Sequence, residues 1–74
     1  MVKYPEHQRR LLEYLKAMRA EHCKTQDDVA RALNLSRSHY TALEGGRSLL
    51  NVDHLCSLAE FYRQSVSEFL DGVL

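Results

Sequence analysis

The sequence predicts an all-α fold, a compact five-helix bundle forming one domain over residues 1–74, and three observations lead there. Apolar residues recur at spacings of three and four, and nothing alternates with period two over a useful length. One proline and three glycines leave little loop material. Four of the periodic segments are preceded by Thr25, Ser36, Asn51 or Ser65, residues whose side-chain oxygens accept from the free amides of a helix start.

Helix 1 is expected to begin at Pro5, whose fixed φ suits a first helical position, with Glu6 favouring the positive helix end. Its inward stripe is Leu11, Leu12, Leu15 and Met18, and it is expected to end near His22 or Cys23. Thr25 caps helix 2, with Asp28 completing an imperfect capping box, and Val29, Ala30 and Leu33 face inward. Asn34 then makes the corner, because an abrupt helix end needs a residue at positive φ and Asn follows Gly in that role. Leu35 turns into the core and Ser36 caps helix 3. In that helix Tyr40 and Leu43 face inward, while Ser38, Thr41 and Ala42 lie opposite, flanked by Arg37 and His39. Gly45-Gly46 stops it. Asn51 caps helix 4, with apolar positions Val52, Leu55, Cys56, Leu58, Ala59 and Tyr62. Ser65 and Glu68 form a full capping box for helix 5, which carries Val66, Phe69 and Leu70, followed by Val73 and Leu74.

Size and composition narrow the function. A chain of 74 residues has little room for a catalytic pocket beside its core, and a lone core this small is marginal, so a disulfide, a metal or a partner subunit is expected to help. Two cysteines do not make a disulfide framework, so both are expected as thiols in a reducing, cytoplasmic setting. No apolar run approaches the roughly 20 residues that span a bilayer, so no membrane association is expected. Net charge is zero, but unevenly placed. Residues 1–50 hold nine Lys/Arg against six Asp/Glu, a surplus of three, and residues 51–74 hold one against four, a deficit of three. A basic head and an acidic tail suit a protein that meets phosphate with one end.

The stretch Thr25–Arg47, TQDDVARALNLSRSHYTALEGGR, reads as two short helices around a tight corner, a unit able to lay its second helix into the major groove of DNA. Apolar residues at Val29, Leu33, Leu35, Tyr40 and Leu43, small Ala30 where two helices approach, and Asn34 at the corner fall at fixed offsets. The segments TQDDVA, S-R-S-x-Y, E-x-G-R and LAEFYRQSVSEFL strengthen the pattern. Over roughly residues 8–70 this resembles the helix-turn-helix of the lambda-repressor and Cro-like family, also called the XRE family. Cys23, Leu50 and Arg63 depart from it, standing where Gly, Pro and Gly are usual. The resemblance implies base-edge contacts for Arg37, Ser38, Thr41 and Ala42 and a phosphate contact for Arg47. It also implies that Gln26 contacts DNA backbone and buttresses helix 3, and that Arg19 and Glu44 form a salt bridge tying helix 1 to helix 3.

The chemistry of the side chains agrees with those roles. Arg37 is able to bond a guanine in two places, while Ser38 and Thr41 bond either base type and the Thr41 methyl suits a thymine methyl. Ala42 offers clearance or thymine contact. Gln26 opens a helix N-terminus, where free amides favour an anion, and Ser36 and His39 stand beside helix 3 as further backbone contacts. His22-Cys23 and His54-x-Cys56 match no zinc spacing, and no Cys–His or Ser–His pair has an orienting third group, so neither metal, cofactor nor catalytic site is expected. Apolar surface at residues 62–74, with Tyr62, Val66, Phe69, Leu70 and Val73 as its members and Leu49 and Leu50 adding to it, predicts a homodimer through that end. The functional expectation is a sequence-specific transcriptional regulator of double-stranded DNA on a roughly palindromic operator, blocking or recruiting RNA polymerase. The rival is a protein-interaction module of the same fold that does not read DNA.

Overall fold

The computed structural model describes residues 3–73, and Leu74 lies outside them. Its elements are α1 (Pro5–Glu21), α2 (Gln26–Ala32), α3 (Arg37–Glu44), α4 (Val52–Phe61) and α5 (Val66–Val73), with no strand among the described residues. Pro5 occupies the first turn of α1 as expected. Thr25 Oγ1 accepts from the Asp28 amide at 3.0 Å while the Asp28 carboxylate accepts from the Thr25 amide at 2.8 Å, so the box at α2 is complete. Ser36 Oγ accepts from the His39 amide, and Ser65 and Glu68 cap α5 reciprocally. At α4 the expected Asn51 cap has an unforeseen partner: His54 Nδ1 accepts from the Asn51 amide at 3.1 Å.

Four helices end in the same way. The residues after their caps are Cys23, Asn34, Gly46 and Arg63, at φ of 55°, 59°, 82° and 58°. In each case the next amide turns back on a carbonyl five residues earlier: Lys24 to Arg19, Leu35 to Ala30, Arg47 to Ala42 and Gln64 to Ala59, at 2.8–2.9 Å. This is the Schellman arrangement, which satisfies carbonyls that the helix leaves free. Three of the four corners hold non-glycine residues in the left-handed region. The backbone hydrogen bonds over-determine those corners and hold them in spite of the Cβ.

The core draws on every helix: Leu15 and Met18 from α1, Val29 and Ala30 with the cap residue Leu33, Tyr40 and Leu43 from α3, Leu58, Ala59 and Tyr62 around α4, and Phe69 from α5. α5 packs on both α1 and α4, and Tyr14 meets Phe69 edge-on with ring centroids 5.1 Å apart. The Cα radius of gyration, 11.3 Å, is the roughly 11 Å expected of a fully compacted chain of this length.

Two of the apolar positions of α4 do not face inward. Val52 is 72% exposed and Cys56 is exposed. The α4 stripe runs through Leu55, Leu58, Ala59 and Tyr62; Cys56 sits a further 100° round the helix from Leu55, and Val52 is exposed as the first residue of the helix. Tyr62 and Phe69, expected to face a second copy, are 6% and 0% exposed and belong to the chain's own core. The apolar side chains that α5 leaves at or near the surface are Val66, Leu70 and Val73.

Candidate nucleic-acid interface

The two helices of Thr25–Arg47 join at Leu33–Ser36. Asn34 turns the chain, and Leu35 returns its amide to Ala30 and becomes half-buried. Ala30, 1% exposed, has no side chain beyond Cβ, which lets α2 and α3 pack together. With Tyr40 and Leu43 fully buried, rotation of α3 about its own axis is fixed. Arg37, Ser38 and His39 consequently stand in solvent, and Thr41 and Ala42 are half-exposed one turn further on. Ser36 and Arg47 lie exposed at the two ends of the helix.

Beneath this surface runs a chain of polar contacts. Thr41 Oγ1 donates to Gln26 Oε1 at 3.0 Å, and Gln26 Nε2 donates to Glu44 Oε1 at 3.3 Å. Arg19 Nε and Nη2 then donate to the two Glu44 oxygens at 2.8 and 2.7 Å, a bidentate pair. Arg19 Nη1 also donates to the Lys24 carbonyl ahead of α2. One guanidinium thus ties α1 to the end of α3 and to the approach to α2. The arrangement has chemical consequences at the surface. The Thr41 hydroxyl proton is committed to Gln26, so Thr41 offers an incoming base its methyl group and an acceptor oxygen. Gln26 retains one amide hydrogen and its own backbone amide for an anion. Ser36 Oγ accepts within the chain, which leaves its proton to donate outward.

Glu44, 2% exposed, is the one charged residue in the core among those described. Burial pushes its carboxyl up, but the Arg19 guanidinium, with the Tyr40 hydroxyl and the Gln26 amide on the same side, more than offsets this and holds it below the usual value. Hydrogen bonding to Glu44 in turn raises Arg19. The Tyr40 hydroxyl lies beside the carboxylate but outside strict hydrogen-bonding geometry, and burial, reinforced by Glu44, pushes that phenol well above its ordinary range. Burial likewise pushes the Tyr62 phenol up to about 12.

Elsewhere the charges are solvated. Asp27 is taken by Arg31 and Asp28 by the Thr25 cap, so both carboxylates in the first turn of α2 have partners within their own element. Arg9 is held by Glu6 and Glu13. His54 was not foreseen from the sequence. Its ring meets that of His39 edge-on at 6.1 Å, which joins the first turn of α4 to the flank of α3. The signal for it was Asn51-x-x-His54, a capping-box spacing with an unusual fourth residue.

A buried, aligned helix pair with a polar, exposed second helix is the framework of a helix-turn-helix protein. A family model described as helix-turn-helix domain matches residues 10–70, and the chain belongs to that family, a class of DNA-binding domains. Comparison with curated proteins and with solved structures yields no match. Among the described residues no helix is long and apolar enough to cross a membrane.

Proposed function

We propose that the chain is a sequence-specific transcriptional regulator of the lambda-repressor and Cro-like branch, binding double-stranded DNA as a homodimer in the cytoplasm. The observation that carries the reading is the Arg19–Glu44–Gln26–Thr41 network, which fixes α3 from behind and leaves a row of short polar side chains on its open face. Arg37, Ser38, Thr41 and Ala42 face the base edges, Arg37 by bidentate bonding to guanine and Ala42 by close approach. Gln26, Ser36, His39 and Arg47 hold the phosphates on either side. The reading surface is small, so affinity comes from two copies on half-sites about 34 Å apart, one turn of B-DNA. Bound there, the dimer blocks RNA polymerase or helps recruit it.

Selection of bound duplexes from a random pool is the decisive test. Enrichment of a two-fold related sequence is the expected result. If no sequence is enriched above the starting pool while the protein is folded, the chain is an interaction module, the reading that its zero net charge favours. On the selected site, Arg37→Ala and Ser38→Ala should each cost specific binding about ten- to a hundredfold and leave non-specific binding nearly unchanged. Arg47→Ala should weaken every sequence alike and reduce the salt slope by about one unit per chain.

A further inference from the structure

Two cations that the DNA contacts proposed above leave unused, Lys24 and Arg63, line one hollow. It holds about 540 Å³ where the end of α1 faces the end of α4, and His22, Phe61 and Tyr62 complete its lining. No Asp or Glu lines it. Lys24 and Arg63 are exposed, and neither forms a salt bridge among the described residues. The two acids that follow Lys24 are engaged elsewhere, Asp27 by Arg31 and Asp28 by the Thr25 amide. Aromatic rings make up the rest of the wall. The His22 and Tyr62 rings lie 4.9 Å apart, Phe61 meets Tyr62 edge-on at 5.0 Å, and Lys24 Nζ stands 5.8 Å from the centre of the Phe61 ring.

The simplest role for basic residues here is to answer the negative ends of α1 and α4. Those ends are already closed, because the Lys24 amide returns to the Arg19 carbonyl and the Gln64 amide to the Ala59 carbonyl, both at 2.9 Å. Arg63 moreover occupies a left-handed corner, at φ 58°, which glycine would fill with less strain. An arginine held in that conformation points to a use for its side chain. We infer that the hollow binds a small aromatic anion, a flat ring carrying a phosphate or a carboxylate. The acid group lies against Lys24 and Arg63, and the ring lies against exposed His22 and half-buried Phe61. The volume falls within the roughly 300–1,000 Å³ of small-molecule sites, so a mononucleotide fits. The same features select a small molecule over the DNA backbone. Phosphates along a duplex are held by cations and amides on an outward surface, whereas this site is concave and lined by three rings.

The site borders the proposed DNA contacts without sharing a residue with them. Lys24 precedes Gln26 by two residues, so their Cα atoms are within about 8 Å, inside the roughly 10 Å Debye length at moderate salt. An anion bound at Lys24 therefore places negative charge beside the phosphate that Gln26 holds, and it lowers the affinity for DNA. By linkage, DNA lowers the affinity for the ligand by the same factor. The ligand site stands on the hollow alone; its effect on DNA rests on the regulator reading above.

Nitrogen-15 NMR titration of the full chain with adenosine 5′-monophosphate and with salicylate tests this, with adenosine as the ring-only probe and inorganic phosphate as the charge-only probe. The expected result is saturable shifts centred on the amides of His22–Lys24 and Phe61–Arg63, with one aromatic anion binding about tenfold or more tighter than adenosine and phosphate. Which of the two does so tells whether the acid group taken is a phosphate or a carboxylate. Lys24→Gln and Arg63→Gly should each weaken that constant about tenfold, the loss of one charge-assisted hydrogen bond, and leave the circular dichroism unchanged. Phosphate binding as tightly as both aromatic anions would reduce the hollow to a patch of charge and overturn the proposal. So would shifts centred elsewhere, or shifts that do not saturate below about 10 mM, a strength of under about 3 kcal/mol. If the two variants weaken DNA binding as much as Arg47→Ala does, the patch is a backbone contact and the proposal fails. On the selected duplex, saturating ligand should weaken binding about threefold or more in the wild type and less in Arg63→Gly. Unchanged DNA affinity with the NMR shifts intact overturns the effect on DNA and leaves the site; failure to select any duplex overturns the regulator reading and that effect, but not the site.

Discussion

At the scale of single residues, Glu44 is the group on which the orientation of α3 depends. A carboxylate 2% exposed is tolerable only because Arg19 bonds it through two nitrogens, and Arg19 is itself only 22% exposed. Arg19→Ala strands that charge and should cost about 3 kcal/mol of unfolding free energy in urea titrations, a loss beyond the range of an ordinary surface pair. The pH dependence has a definite sign. The folded-state value of Glu44 lies below its ordinary 4.5, so its contribution is complete above that value and is lost as pH falls through the lowered one. Compared with Glu44→Gln, the wild type should therefore be ahead by its largest margin at pH 6, and the margin should shrink on acidification through the carboxylate range. A margin independent of pH from 6 to 3 would mean that the buried group is not ionised. Because Gln26 bonds both Glu44 and Thr41, Gln26→Ala should weaken DNA binding through misorientation of Thr41 as well as through its own phosphate contact.

Among the elements, the four matching helix ends set the angles at which α1 meets α2, α2 meets α3, α3 leads towards α4, and α4 meets α5. Only one of these corners has glycine at its left-handed residue. For Cys23 and Arg63, both exposed, the Cβ meets the following carbonyl at a cost of about 1 kcal/mol that glycine does not incur, part of which returns as unfolded-state entropy. Cys23→Gly and Arg63→Gly should each raise stability by a few tenths of a kcal/mol to about 1, seen as a rise of a few degrees in melting temperature. Asn34→Gly should change little, since Asn tolerates this region best. The ends and starts of these helices were largely legible in the sequence, because capping is local: Thr25, Ser36, Asn51, Ser65 and the Asn34 corner all stand where the residue pattern put them. Rotation of a helix about its axis was less legible. Periodicity gives a stripe, but on α4 that stripe also takes in Val52 and Cys56, which lie about 40° apart at its edge, and only packing against α2 and α5 decides which are covered. For the same reason Tyr62 and Phe69 read as surface available to a partner, and Tyr14 was passed over although it packs against Phe69. The orienting pair Arg19–Glu44 was visible only through family resemblance, since 25 residues separate its members and no local rule links them.

For the whole molecule the governing fact is a net charge of zero on a protein whose proposed ligand is a polyanion. Four of the nine cations in the basic half are paired: Arg9 with Glu6 and Glu13, Arg10 with Glu6, Arg31 with Asp27, and Arg19 with Glu44. On the recognition surface Arg37 and Arg47 are the two exposed cations, and neither forms a salt bridge among the described residues. Each cation that neutralises a phosphate contributes about 0.9 to the slope of log K against log salt. If Arg47 alone meets phosphate, a dimer has a slope of about −2; if Arg37 does so as well, about −4. Both values are far shallower than the roughly −10 of a large repressor dependent on backbone charge. Measurement of binding to the selected duplex between about 50 and 300 mM salt distinguishes them, and a slope near −2 also supports base contact by Arg37. A slope steeper than about −6 would require phosphate contacts from Arg10, Lys16 or Lys24, and with them a docking geometry that brings α1 onto the DNA. With so little of the affinity coming from charge, doubling the reading surface by dimerisation is the remaining source. Binding should then fall steeply with protein concentration below the dimer constant, and the melting temperature of the free protein should rise with its concentration.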